Sequence, residues 1–300
     1  MLKTALDRLY ASFDHPESAL DPVQIVRRCD TVADREIVGF VAAGLAFGRV
    51  ASVMASVEAV CAVLGPHPAA FVRSFQPSRD AVPLLPIVHR WIRGQDIVAL
   101  LWILRTLIER YGSIENAVAA GLDDADPHVG PALERLSEEV RAIDLEPAYG
   151  RPVPTTPGVY YFFSRPSTGG ACKRLNLFLR WMVRHDGVDP GGWTRIPASK
   201  LVVPLDTHTI RVGKCLGLTR RVSPGWRMAA DITAGLRAID ESDPVRYDFS
   251  LCHLSMMGAC GYQAKQGSAH CPLREVCRPG RRRVAKPRAG TASAYRRKQQ

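Results

Sequence analysis

Gly169-Gly170-Ala171-Cys172-Lys173-Arg174, continued by LNLFLRWMVR to Arg184, reads as a small-residue turn feeding a helix. Leu175, Phe178, Leu179 and Met182 fall at i, i+3, i+4 and i+7, the spacing of a core-facing stripe. Lys173, Leu177, Arg180 and Arg184 follow one another along a different face. A helix start exposes unpaired backbone N–H groups, so a glycine turn followed by three cations suits a DNA phosphate backbone. The same stripe also fits a plain solvated face. Lys173 sits in the first helical turn beside Arg174, where the positive end of the macrodipole disfavours the ammonium form, as a nucleophilic amine requires.

Outward from this stretch the pattern is helical in both directions. Met1 to His15 is a short amphipathic helix, and Asp34–Phe47 and Ala51–Leu64 are Ala-rich, apolar-periodic runs joined at Gly48-Arg49. Helices are expected over Gln95–Tyr111, Pro131–Ile143, Pro224–Ile239 and Pro244–Met257, with a proline-rich boundary from Glu146 to Thr156. No alternating run is long enough to build a sheet. The expected fold class is all-α. The most apolar segment, Ile37 to Leu64, is interrupted by Arg49 and Glu58. It reads as a buried helix pair, since a membrane span needs about 20 uninterrupted apolar residues. With no secretory signal at the start, the expectation is a cytoplasmic, monomeric protein with no membrane partner.

The net charge of +11 is unevenly placed. From Arg278 onward there are nine Lys or Arg residues and no acid, which leaves the body nearly neutral at +2. Residues 1–277 are therefore read as the body, and 278–300 as a basic tail with too few apolar groups to pack. Such a tail either tracks phosphates or only solubilises the chain. Truncation after Cys277 is expected to weaken binding to any duplex and flatten its salt dependence, measured as the slope of log K against log salt. An unchanged slope leaves only the solubilising role.

The second informative string is Pro204-Leu205-Asp206-Thr207-His208-Thr209-Ile210-Arg211-Val212, followed by Leu216-Gly217-Leu218. Taken alone, Asp206 is an N-cap for the helix that follows. Taken whole, the string resembles the V-D-T-H-x-x-R-V…L-G-L signature of the helix-hairpin-helix DNA glycosylases, the superfamily of endonuclease III and 8-oxoguanine glycosylase. Gly169-Gly170-Ala171-Cys172-Lys173 is similar to that superfamily's G-x-G-x-K hairpin. The resemblance implies two interleaved helical lobes with a helix-hairpin-helix, Lys173 as Schiff-base nucleophile and Asp206 as the catalytic aspartate. It implies a base-excision glycosylase with AP-lyase activity on double-stranded DNA that carries a damaged base. GGACKRLNLFLRWMVR and PLDTH also resemble an uncharacterised bacterial family known only as a domain of unknown function, from the AGLAFGRV segment to the cysteines.

The chain departs from the glycosylase pattern in places. Ala171 replaces the second hairpin glycine, and the L-P-G-V-G opening is absent although Pro157-Gly158-Val159 lies upstream. The stretch from Lys173 to Asp206 is longer than in endonuclease III-like enzymes and resembles the archaeal 8-oxoguanine branch, which implies an oxidised purine. The residues taken to contact DNA are Gly169, Gly170, Arg174, Arg180, Arg184 and His208, with Arg49 probing the duplex from the turn between the two early helices. Phe178, Trp181 and Trp193 are candidates for a stacking wall, and each equally suits the core.

Eight cysteines in a cytosolic chain read as small buried hydrophobes where they are scattered. Cys252, Cys260, Cys271 and Cys277 are clustered, and the Cys271–Cys277 end resembles the [4Fe–4S] loop of endonuclease III and adenine glycosylases. That pattern has a further cysteine between Cys260 and Cys271, absent here, so Cys252 or His270 would have to complete the set. A [4Fe–4S] cluster, zinc and no metal all stay open for 252–277. The functional alternative is a non-catalytic helix-hairpin-helix DNA-binding module. The presence of both Lys173 and Asp206 favours the enzyme, because a phosphate-binding hairpin needs neither.

Overall fold

Apolar residues at helical spacing, closed by caps and glycines, produce a structure that is almost wholly helical. The computed structural model describes residues 1–17, 20–150, 152–258 and 271–277. In chain order its helices are α1 (Leu2–Ala11), α2 (Val23–Val26), α3 (Val32–Leu45), α4 (Val50–Leu64), α5 (Pro68–Arg73), α6 (Pro77–Asp80) and α7 (Gly94–Tyr111). There follow α8 (Ile114–Ala119), α9 (Gly130–Arg141), α10 (Glu146–Tyr149), α11 (Lys173–Val183), α12 (Thr207–Leu216), α13 (Trp226–Arg237) and α14 (Asp248–Met256). The all-α expectation holds. One small exception lies between α6 and α7, where β1 (Val88–His89) and β2 (Ile92–Arg93) pair as an antiparallel hairpin. Two-residue strands carry no alternation for a sequence to display.

Caps set the helix starts. Thr31 caps α3 by accepting the Asp34 amide at 3.1 Å, so that helix begins at Val32 rather than at Asp34. Asp206 caps α12, and α11 starts at Lys173 behind a left-handed Cys172. The glycine turn before α11 tolerates Ala171 because the positive-φ positions are Gly169 (81°) and Cys172 (49°), not Ala171.

The core is one connected apolar cluster reaching from Leu6 to Cys277. At its centre α3 is buried from Glu36 to Leu45 and packs along α11. Small residues permit that approach: a Cβ at Gly39 would touch the Phe178 ring at 3.4 Å, and one at Gly44 would overlap Phe162 at 2.7 Å. The neighbouring α4 buries one stripe, Val53, Val57, Val60 and Leu64. The Ile37–Leu64 segment is thus a packed helix pair. Among the described residues no helix is long and apolar enough to cross a membrane. The pairing of α11 with α3 and of α12 with α14 brings the starts of α11 and α12, the end of α3 and one face of α14 around a common cavity. The basic tail and Cys260 lie outside the described residues.

Candidate active site

Lys173 is the first residue of α11, and its Nζ donates to the carbonyl of Ala46, just beyond the end of α3, at 3.1 Å. Asp206 uses its two carboxylate oxygens differently. Oδ1 accepts the His208 and Thr209 amides at 2.9 and 2.8 Å, which is the N-cap the sequence suggests. Oδ2 faces the amine, 3.7 Å from Lys173 Nζ, and accepts the Cys252 thiol at 3.5 Å. Cap and charge partner are therefore both true of the same side chain. Burial pushes the Asp206 carboxyl up, but Lys173, the Thr209 amide and the Cys252 thiol outweigh it and hold it below the ordinary aspartate value.

The pair stands in the wall of a cavity of about 370 Å³. Phe47, Leu177, Trp181 and Phe249 supply apolar surface, and Asp21, His208, Asp248, Cys252 and His253 supply polar groups. Burial pushes Asp248 up to about 6 although Arg180 favours its ionised form, and the nearby Asp206 charge adds to the rise. Its Oδ1 accepts Thr209 Oγ1 at 3.4 Å, which ties the end of α12 that carries Asp206 to the start of α14. His253 is held below the ordinary histidine value by burial. Its Nδ1 lies 2.9 Å from the Phe249 carbonyl, which assigns the proton of the neutral ring to Nδ1. That leaves His253 Nε2 as a buried acceptor and Trp181 Nε1 as a buried donor, neither with a hydrogen-bond partner among the described residues. The Asp21 carboxylate stands 3.9 Å from His253 Nε2, and burial makes leaving either atom unmet costly.

The residues assigned to DNA contact separate into two groups. Gly169 is exposed, its carbonyl accepts the Trp226 amide at 3.1 Å, and Gly170 is half-buried beside it. Arg49 is exposed at the start of α4. His208 lines the cavity and holds Ser255 Oγ at 3.2 Å. Arg174 lies flat over the Tyr161 ring, 3.4 Å from its centroid, and donates to the Tyr161 carbonyl. Arg180 and Arg184 must be corrected. They are 3% and 5% exposed and cannot present cations to a phosphate chain. Arg180 bonds Asp248 at 2.7 Å and Asp189 at 3.1 Å, while Arg184 bonds Asp186 at 2.7 Å, Asp243 at 2.8 Å and also Asp189. Burial penalises both guanidinium groups, and the surrounding carboxylates more than offset it and raise their affinity for the proton.

Of the cysteines assigned to a metal, Cys260 lies outside the described residues, as does His270. Among the described residues no three His, Cys, Asp or Glu side chains are gathered as ligands. Cys252 turns its thiol to Asp206 Oδ2 and to Met256 Sδ, placing it in the cavity wall. No chemical step is assigned to a metal.

Of the three rings suggested as a stacking wall, only Trp181 lines the cavity. Phe178 and Trp193 meet edge-on at 5.1 Å in the core, with the Trp193 indole donating to Glu36. The cavity rings beyond Trp181 are Phe47 and Phe249, and its polar groups include Asp21, Asp248 and His253, none singled out from sequence. Helical spacing over Tyr247–Met257 does put Asp248, Phe249, Cys252, His253 and Met256 on one side of α14, the only signal that could have found them.

No curated protein and no solved structure matches the chain. The family model described as a protein of unknown function, DUF2400, matches residues 21–257, so the segment carrying Lys173, Asp206 and the whole cavity belongs with the rest of the chain to that family.

Proposed function

We propose that the chain is a DNA base-excision enzyme, a glycosylase with associated lyase activity, with Lys173 as nucleophile and Asp206 as its proton acceptor. The observation that carries the reading is the pair itself: an amine and a carboxylate 3.7 Å apart, from two helix starts, in the wall of a cavity of about 370 Å³. That space suits a base extruded from a duplex, the only way such a base can be reached. Phe47, Trp181 and Phe249 give the cavity aromatic surface for a heterocycle. The glycine turn ahead of Lys173 and the resemblance of both motifs to the helix-hairpin-helix glycosylases support double-stranded DNA as substrate, and an oxidised purine as the lesion.

The chemistry balances with the groups present. Lys173 Nζ, as the free amine, attacks C1′ of the sugar while Asp206 is ionised. The bond from C1′ to the base breaks with its electron pair on the departing base, and Asp206 passes a proton from the now cationic nitrogen to that base. The Asp206 carboxylate stabilises the positive charge that develops on the sugar. The bond from C1′ to the ring oxygen then opens with its electron pair on that oxygen, which takes up a proton, and leaves a protonated imine between Lys173 and C1′. Loss of a C2′ proton then expels the 3′ phosphate and cuts the strand.

The test is incubation with duplexes that each carry one damaged base, in the presence of borohydride, which reduces the imine to a stable amine. A covalent protein–DNA band with release of the base is expected for at least one lesion. Base release without any covalent band assigns the attack to water and removes the lyase. Neither release nor a band on any lesion rejects the enzyme and leaves a DNA-binding module.

A further inference from the structure

The hairpin of β1 and β2 reverses through Arg90 and Trp91, because His89 pairs with Ile92 and leaves a two-residue loop. Loops of this length favour Gly, Asn or Asp at left-handed positions. Here Arg90 holds φ 56°, a conformation costly for a long side chain. Beside it Trp91 is 51% exposed, unusual for a residue type that is mostly buried. The tip is firmly mounted: His89 is buried, with Nε2 2.9 Å from the Phe47 carbonyl and Nδ1 2.9 Å from Ser56 Oγ on α4.

Trp91 is the outer ring of an aromatic stack. It lies on Phe47 with centroids 4.6 Å apart and planes at 26°, and meets the edge of Tyr161 at 5.3 Å. Arg174 backs this stack from the Tyr161 side, and the Arg90 guanidinium sits 5.5 Å from the Trp91 centroid. One indole face lies on Phe47 and the Arg90 guanidinium stands over the ring, so a base stacking on the exposed part of the indole takes the place of that cation. Phe47 also lines the cavity, and the carbonyl of its neighbour Ala46 holds Lys173 Nζ. The half-exposed indole is therefore one ring removed from the Lys173 amine. Arg49 and Arg90 are exposed close by, and among the described residues neither pairs with a carboxylate. A flat, half-exposed ring flanked by unneutralised cations complements a nucleic-acid strand, which alternates flat bases with phosphates.

We infer that Trp91 is a nucleobase-stacking platform: the exposed part of its indole takes the base adjoining the nucleotide held in the cavity, and Arg90 and Arg49 take the flanking phosphates. The inference rests on the nucleic-acid reading of the cavity but not on its chemistry. Base–aromatic stacking accepts any base, so the platform contributes affinity at a strand distortion without choosing the sequence.

The experiment uses the full chain and a duplex carrying a tetrahydrofuran abasic analogue with 2-aminopurine beside it, a probe with no base to excise. Wild-type protein is expected to quench the 2-aminopurine on binding. Trp91→Ala is expected to abolish the quench and weaken binding about tenfold or more, whereas Trp91→Phe, which keeps a ring, retains most of both. Circular dichroism and the thermal midpoint check folding, which a half-exposed side chain should leave intact. Trp91→Ala that quenches and binds as wild type does, or a wild type that binds without quenching, overturns the platform. Ring-dependent quenching without excision of any lesion leaves the platform standing and rejects the enzyme. Excision with ring-independent quenching rejects only the platform, and a chain that binds neither this duplex nor an intact one rejects both.

Discussion

Lys173→Gln is expected to abolish covalent trapping under borohydride while duplex affinity stays within a few-fold of wild type. Gln keeps polarity and most of the length, but it has no amine to form the imine. Asp206→Asn separates chemistry from folding in the same site. Its remaining oxygen can still accept the His208 and Thr209 amides, so the cap persists at a cost of a few tenths of a kcal/mol. The new amide group replaces the Oδ2 that faces Lys173 and Cys252, and it can neither take the amine's proton nor stabilise positive charge on the sugar. Single-turnover base release should fall by roughly a hundredfold or more from loss of that electrostatic term. Because the Asp206 value lies below the ordinary 3.8, its contribution to stability is present above that pH and is lost as pH falls through the lower folded value. The wild-type and Asn proteins should therefore differ in thermal midpoint at neutral pH and converge in acid. A Lys173→Gln protein that still traps names another amine as nucleophile. An Asp206→Asn protein that turns over at the wild-type rate limits Asp206 to capping.

The fold class was readable because its signals are local. Asp206 announces a helix start, and the Ala-rich periodicity of α3 and α4 needs no knowledge of what lies across from it. Lys173 and Asp206 were named through the resemblance of their two strings, and each stands at a helix start. What stayed hidden depends on partners far along the chain. Arg180 looks like a surface cation beside Lys173, yet one of its carboxylates, Asp248, lies 68 positions on. Cysteine spacing alone does not show that Cys252 meets Asp206, 46 positions back. The hairpin around Trp91 is too short to show alternation and breaks the usual turn chemistry at Arg90.

That hidden partnership makes Arg180→Met the substitution with the largest expected effect on stability. Arg180 sits among buried carboxylates that also surround Arg184: Asp189, which is 0% exposed, is bonded by both, Asp248 by Arg180 alone, and Asp186 and Asp243 by Arg184. Burial pushes Asp248 up to about 6 even with its guanidinium in place, and the nearby Asp206 and Asp189 charges add to the rise. Methionine fills similar space but leaves Asp189 and Asp248 short of a counter-charge. Breaking a buried pair in this way costs about 3–5 kcal/mol, roughly a 5–10 °C fall in Tm for a chain of this size. Arg180→Lys should recover only part of the loss, since one ammonium cannot reproduce the forked contacts to two carboxylates. The deficit should also depend on pH in a stated direction. A carboxyl whose folded value exceeds its unfolded value makes the folded state bind the extra proton between the two, so stability falls as pH rises through that window. Removing Arg180 raises Asp248 further and widens the window, so the gap between variant and wild type should be small near about pH 5 and large near about pH 8. Because Asp248 also holds Thr209, whose amide is bonded to Asp206, the loosened cluster should slow base release even at temperatures where the variant is folded. A gap in Tm that is flat with pH would mean that the carboxylates relax to solvent when Arg180 is gone, and the cluster would then be a packing feature rather than an electrostatic brace for the site.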